Sequence, residues 1–162
     1  MSNRPSAAIR LGLTLAALWA LPGSAEAAPR FACTANNGPF GLSANIVLDN
    51  RGGSPISQVA GTVVLNTREV PPDLAKQDLD TSTLVHHWYE GEQLNLHFYK
   101  ERAVSQPGGG IEAFLTLRRP NKDDEAYRGR FRIKVRYFKK ASDAQPMEFM
   151  VTGGATCTGT GT

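Results

Sequence analysis

The chain has 162 residues, 41% of them hydrophobic and 20% charged, with a formal net charge of +3. That balance excludes a low-complexity or strongly charged disordered chain, and the length suits one domain with a real core. Two cysteines exclude a disulfide-dense miniature scaffold, and no stretch is long and apolar enough for a membrane-spanning helix.

Residues 1–27 read as a secretory signal. Arg4 and Arg10 give a positive start, residues 11–21 an apolar run, Pro22 and Gly23 a break, and Ala25-Glu26-Ala27 a small-x-small cleavage pattern. The apolar run is short of the ~20 residues of a spanning helix, and no cysteine at the cleavage region signals lipid attachment. Removing this segment leaves residues 28–162, with 28–158 expected as a single all-β domain and 159–162 as a disordered Gly/Thr tail. The expected location is periplasmic or secreted. Charge is unevenly spread: residues 28–117 hold 6 basic and 9 acidic side chains, whereas 118–162 hold 10 and 5. An anion-binding argument rests on that local excess.

From residue 30 onward the apolar pattern has period two, the mark of antiparallel strands with one buried face. Strands are predicted over 30–36, which carries Cys33, over 42–49, and over 59–66. Between them Gly38-Pro39 and residues 50–53 (Asn-Arg-Gly-Gly) supply turns. The connection 67–82 holds Pro71-Pro72 and suggests one helical turn after Asp73. Residues 83–89 and 93–101 form a predicted hairpin around Glu90-Gly91-Glu92.

All three histidines fall on that hairpin. If Gly91-Glu92 reverse the chain, His86 lies across from His97; if residues 90–92 form a three-residue loop, His97 lies on the His87 side instead. Two histidines with a carboxylate or water would offer a weak Zn²⁺ or Cu²⁺ site, so His86 and His97 are metal-ligand candidates.

Gly108-Gly109-Gly110 belong to a loop, 111–118 to a strand, and 119–126 to a charged connection. Residues 127–139 form the longest predicted strand. Its alternation sends Gly129, Phe131, Ile133, Val135 and Tyr137 inward, and Arg128, Arg130, Arg132, Lys134 and Arg136 outward. Five like charges in one row repel unless something neutralises them, and arginine's planar fork suits phosphate, sulfate or carboxylate. The same alternation turns Phe114 and Tyr99 outward beside the row, with Met150 near it on the last strand, predicted over 147–152. Glu101, Glu112 and Glu148 are the carboxylates placed to pair with the cations.

Cys33 and Cys157 stand near the two ends of the mature chain and are expected to form one disulfide. Eight strands without a substantial helix imply an antiparallel β-sandwich, or alternatively a small closed β-barrel. No Gly-x-Ser-x-Gly elbow or phosphate-binding glycine loop is present. The expectation is a non-enzymatic, cofactor-free binding module. Arg128, Arg130, Arg132, Lys134, Arg136, Tyr99 and Phe114 would face an anionic lipid, an acidic glycan or a protein partner of the cell envelope. The alternatives are an envelope assembly or inhibitor protein, including a homodimer, and the histidine metal module.

Overall fold

The computed structural model describes residues 30–48, 56–121, 124 and 126–159. The expected signal segment 1–27, the turn at 50–53 and residues 160–162 of the expected tail lie outside them.

Nine strands form one antiparallel sheet: β1 (Arg30–Asn37), β2 (Phe40–Leu48), β3 (Ile56–Leu65), β4 (Lys76–Asp80), β5 (Leu84–Glu90), β6 (Gln93–Glu101), β7 (Gly109–Arg118), β8 (Ala126–Tyr137) and β9 (Met147–Gly159). The spatial order is β4-β3-β2-β1-β9-β8-β7-β6-β5. The first and last strands are thus neighbours at the centre, and β4 and β5, joined by residues 81–83, are the two edges. Laid flat, nine strands would span roughly 38 Å. Four residue steps from Asp80 to Leu84 reach at most about 14 Å. The sheet must curl, and it does so into a nearly closed barrel. Of the two arrangements open to a period-two pattern, this is the barrel.

Eight successive antiparallel pairings separate β4 from β5, so the two run in the same direction around the barrel. They are halves of one interrupted strand, the first paired with β3 and the second with β6. The break is stitched from both sides. The Val59 amide donates to Thr81 Oγ1 at 3.0 Å, the Tyr99 amide to the Thr83 carbonyl at 2.8 Å, and Lys100 Nζ to the Asp78 carbonyl at 3.1 Å. Asp80 holds the kink, its carboxylate accepting from the Ser82 and Thr83 amides.

Cys33 and Cys157 are directly opposed on β1 and β9 and form the expected disulfide inside the barrel. The core is filled by inward side chains from every sector: Ile46, Leu65, Leu96, Phe98, Leu115 and Phe131 are all fully buried. Gly153 allows one of these contacts, because a Cβ there would strike the Phe131 ring. β9 runs on to Gly159, past the expected end at Thr152 and into the first residue of the tail expected to be disordered, because β1 and β8 pair with it along residues 153–159.

Residues 66–75 close one end. Val70 and Leu74 are buried, and backbone bonds from Leu74 to Pro71 and from Ala75 to Pro72 form the single turn before β4. Arg102, 9% exposed, ties that plug to two other connections. Its guanidinium donates twice to Asp73, at 2.6 and 2.9 Å, and once each to the Pro107 and Phe138 carbonyls at 3.0 Å. The hydrogen bond from Arg102 is the leading reason that Asp73 titrates below the ordinary aspartate range.

Candidate anion-binding face

On β8 the expected alternation holds throughout the row. Phe131, Ile133, Val135 and Tyr137 are buried, and Arg128, Arg130, Arg132, Lys134 and Arg136 emerge on the outside. The registers of β5 to β9 set these side chains in a grid of cross-strand rows. One row reads Gln93, Arg118, Arg128, Thr156; the next reads Trp88, Asn95, Thr116, Arg130, Gly154. The third reads His86, His97, Phe114, Arg132, Thr152. A fourth holds Tyr99, Glu112, Lys134 and Met150, and a fifth Glu101, Gly110, Arg136 and Glu148.

Charge divides this face in two. Towards the Tyr137 end of β8, Glu148 bridges Arg136 at 3.0 Å and Lys134 at 3.4 Å. Towards the Ala126 end, no carboxylate among the described residues lies within salt-bridge distance of Arg118, Arg128, Arg130 or Arg132. Arg118 and Arg128 stand directly opposite one another, an arrangement that like charges disfavour unless solvent or a counterion screens them. Arg118 had no place in the sequence-based site, because only the β7–β8 register reveals it as a neighbour of the row.

Phe114 faces outward as expected and is flanked on both sides. The His97 ring stacks on it at 4.0 Å and 14°, and the Arg132 guanidinium lies 4.5 Å from its centroid. The guanidinium over the ring is a cation–π contact that favours this placement of the Arg132 fork. Tyr99 and Met150 stay exposed.

The two-residue turn at Gly91-Glu92 places His86 opposite His97, the first of the two registers considered. Among the described residues no group of three or more His, Cys, Asp or Glu is placed to hold a metal ion. Desolvation is the main reason that His97 titrates below the ordinary histidine value, and its Nε2 is buried without a hydrogen-bond partner.

A cleft of about 800 Å³ opens on the outer face across the second and third rows, lined by Trp88, Asn95, Phe114, Thr116, Arg130 and Arg132. Gly154 leaves its far side bare, with nothing within 4 Å of where a side chain would begin. A second cleft of about 410 Å³ adjoins it through Phe114 and Arg132 and continues to Glu148 and Met150.

The disulfide is consistent with an oxidising, exported compartment, and no described helix is long and apolar enough to cross a membrane. Comparison with family models, curated proteins and solved structures finds no match to this chain.

Proposed function

We propose that this protein is an exported, non-enzymatic binding module. It would engage an anionic partner of the cell envelope through the outer face of β7–β9. The reading rests on one observation: Arg128, Arg130 and Arg132 project from the same side of β8 with no carboxylate partner among the described residues. Exposed like charges held in register raise each other's electrostatic energy, and a ligand carrying phosphate, sulfate or carboxylate relieves that. Arg118 extends the same patch, and the Phe114 contact orients Arg132 before any ligand arrives. The signal-like pattern of residues 1–27, together with the disulfide, supports a location in the periplasm or outside the cell.

The test is binding to immobilised polyanion over a salt series from about 50 to about 500 mM, where surface charge interactions are progressively screened. Retention should fall steeply with salt and be abolished in Arg130→Glu/Arg132→Glu. Salt-insensitive retention, or retention unchanged in that variant, would remove the reading. A protein partner is the second reading, favoured by the exposure of Met150 (63%) and Tyr99 (39%) on the balanced half of the face. It predicts a concentration-dependent dimer or a stable complex that Met150→Lys disrupts.

A further inference from the structure

We infer that the cleft on this face is a subsite for an acidic polysaccharide chain. Its sugar rings would pack on Trp88, with a ring or hydroxyl oxygen on Asn95 and a carboxylate or sulfate on Arg130 and Arg132. The inference rests on the anion-binding reading and adds the ligand's chemical class.

Asn95 is the observation that points to a ligand. It sits on the outer side of β6, yet it is only 4% exposed. Its Oδ1 accepts from Gln93 Nε2 at 3.0 Å, while its Nδ2 is buried with no acceptor. Buried polar groups in folded proteins are nearly always satisfied, and an exception calls for an explanation. Asn95 lines an open cleft, so a small rotation of its side chain would carry the amide to an acceptor oxygen entering from outside.

The walls narrow the choice of molecule. Trp88, 42% exposed, stands in the same cross-strand row as Asn95, Thr116 and Arg130. A half-exposed indole offers a broad apolar face for the C–H surface of a pyranose ring, while its neighbours offer a hydroxyl, an amide and a cation for the ring's polar edge. Alternate residues on β8 place Arg128, Arg130 and Arg132 about 6.7 Å apart, a straight line of cations along which a linear polyanion can lie. Thr116, Thr152 and Asn95 line the cleft alongside the Phe114 and Trp88 rings, a mixed polar and apolar surface. Trp88 and Phe114 stand beside these cations, but Phe114 lies between His97 and Arg132 and is not free to insert into an acyl layer. The apolar Met150 lies beyond Arg132, on the half where Glu148 neutralises the charge.

Calorimetric titration of the full protein with alginate oligosaccharide, a neutral glucan of equal length, and vesicles of phosphatidylcholine and phosphatidylglycerol tests this. Quenching of Trp88 fluorescence serves as a second readout. Alginate should bind at least about tenfold more tightly than either other probe. Trp88→Ala and Asn95→Leu should each weaken it by about tenfold, the scale of one well-placed contact. Asn95→Leu removes an unsatisfied buried amide but also the acceptor of Gln93, so its urea unfolding is measured alongside and should match the parent's, which separates lost binding from unfolding. Alginate binding that depends on the arginines but is untouched by both cleft variants would overturn the inference and leave the anion-binding reading standing. So would vesicles binding more tightly than alginate. Failure of every anionic probe to bind would end both.

Discussion

Arg102 is the side chain whose loss the barrel should feel most. It gives four hydrogen bonds to three separate connections, and it is almost wholly buried. In Arg102→Met the stem volume is kept while the Pro107 and Phe138 carbonyls lose their donor and Asp73 loses its partner. Removing one member of a buried ion pair costs about 3–5 kcal/mol. The Asp73 side chain is 36% exposed and can be rehydrated, which sets the expectation at the lower end, about 3 kcal/mol. For a domain of this size that is a drop in Tm on the order of 10 °C. Urea unfolding is the assay, with the slope m unchanged if only stability moves. The pH dependence follows from Asp73. Its folded pKa lies below the ordinary value, so the stability it contributes is complete above that value and is lost as pH falls through the folded one. The difference between parent and Arg102→Met should therefore shrink in acid. A cost below about 1 kcal/mol would show that the end plug does not depend on Arg102.

Replacing both Cys33 and Cys157 by alanine opens a link between residues 124 apart in sequence. It should cost up to about 5 kcal/mol by chain entropy, read as a lower urea midpoint that reducing agent reproduces in the parent. His97 should titrate below the ordinary histidine value by NMR, and Phe114→Ala should raise its pKa by exposing the ring to water. An unmoved pKa would show that the stacked ring does not cause the desolvation.

Much of the fold was legible because inward and outward residues alternate cleanly. Residues 127–137 need no tertiary information to sort Phe131 and Ile133 from Arg130 and Arg132, and two cysteines allow only one intrachain bridge. What escaped did so for identifiable reasons. Strand β4 reads Lys-Gln-Asp-Leu-Asp, with Leu79 its one apolar residue, because half a strand at the barrel's seam buries little. The end of β9 was hidden by Gly153-Gly154, where the first glycine accommodates the Phe131 ring and the pattern fails for want of side chains. Curling could not be read from periodicity, since sandwich and barrel strands alternate alike; it follows from the three residues joining the sheet edges.

The site was half visible. Alternation alone groups Asn95 with His97 and Tyr99 on one face of β6, a signal that was available. That its amide lacks an acceptor emerges only from packing. Arg118 belongs to the patch through register, ten positions away from Arg128 in sequence. The pairing of Lys134 and Arg136 with Glu148 likewise splits a row that the sequence presents as uniform.

Function through this face requires that the unneutralised arginines of β8 bind anions as a set. Charge reversal at Arg130 and Arg132 together, compared with reversal at the paired Lys134 and Arg136, measures this on immobilised polyanion at low salt. Loss of retention confined to the first pair is the predicted result. Equal losses for the two pairs would mean that net charge alone governs binding, and no loss in either would mean that the face is merely solvated.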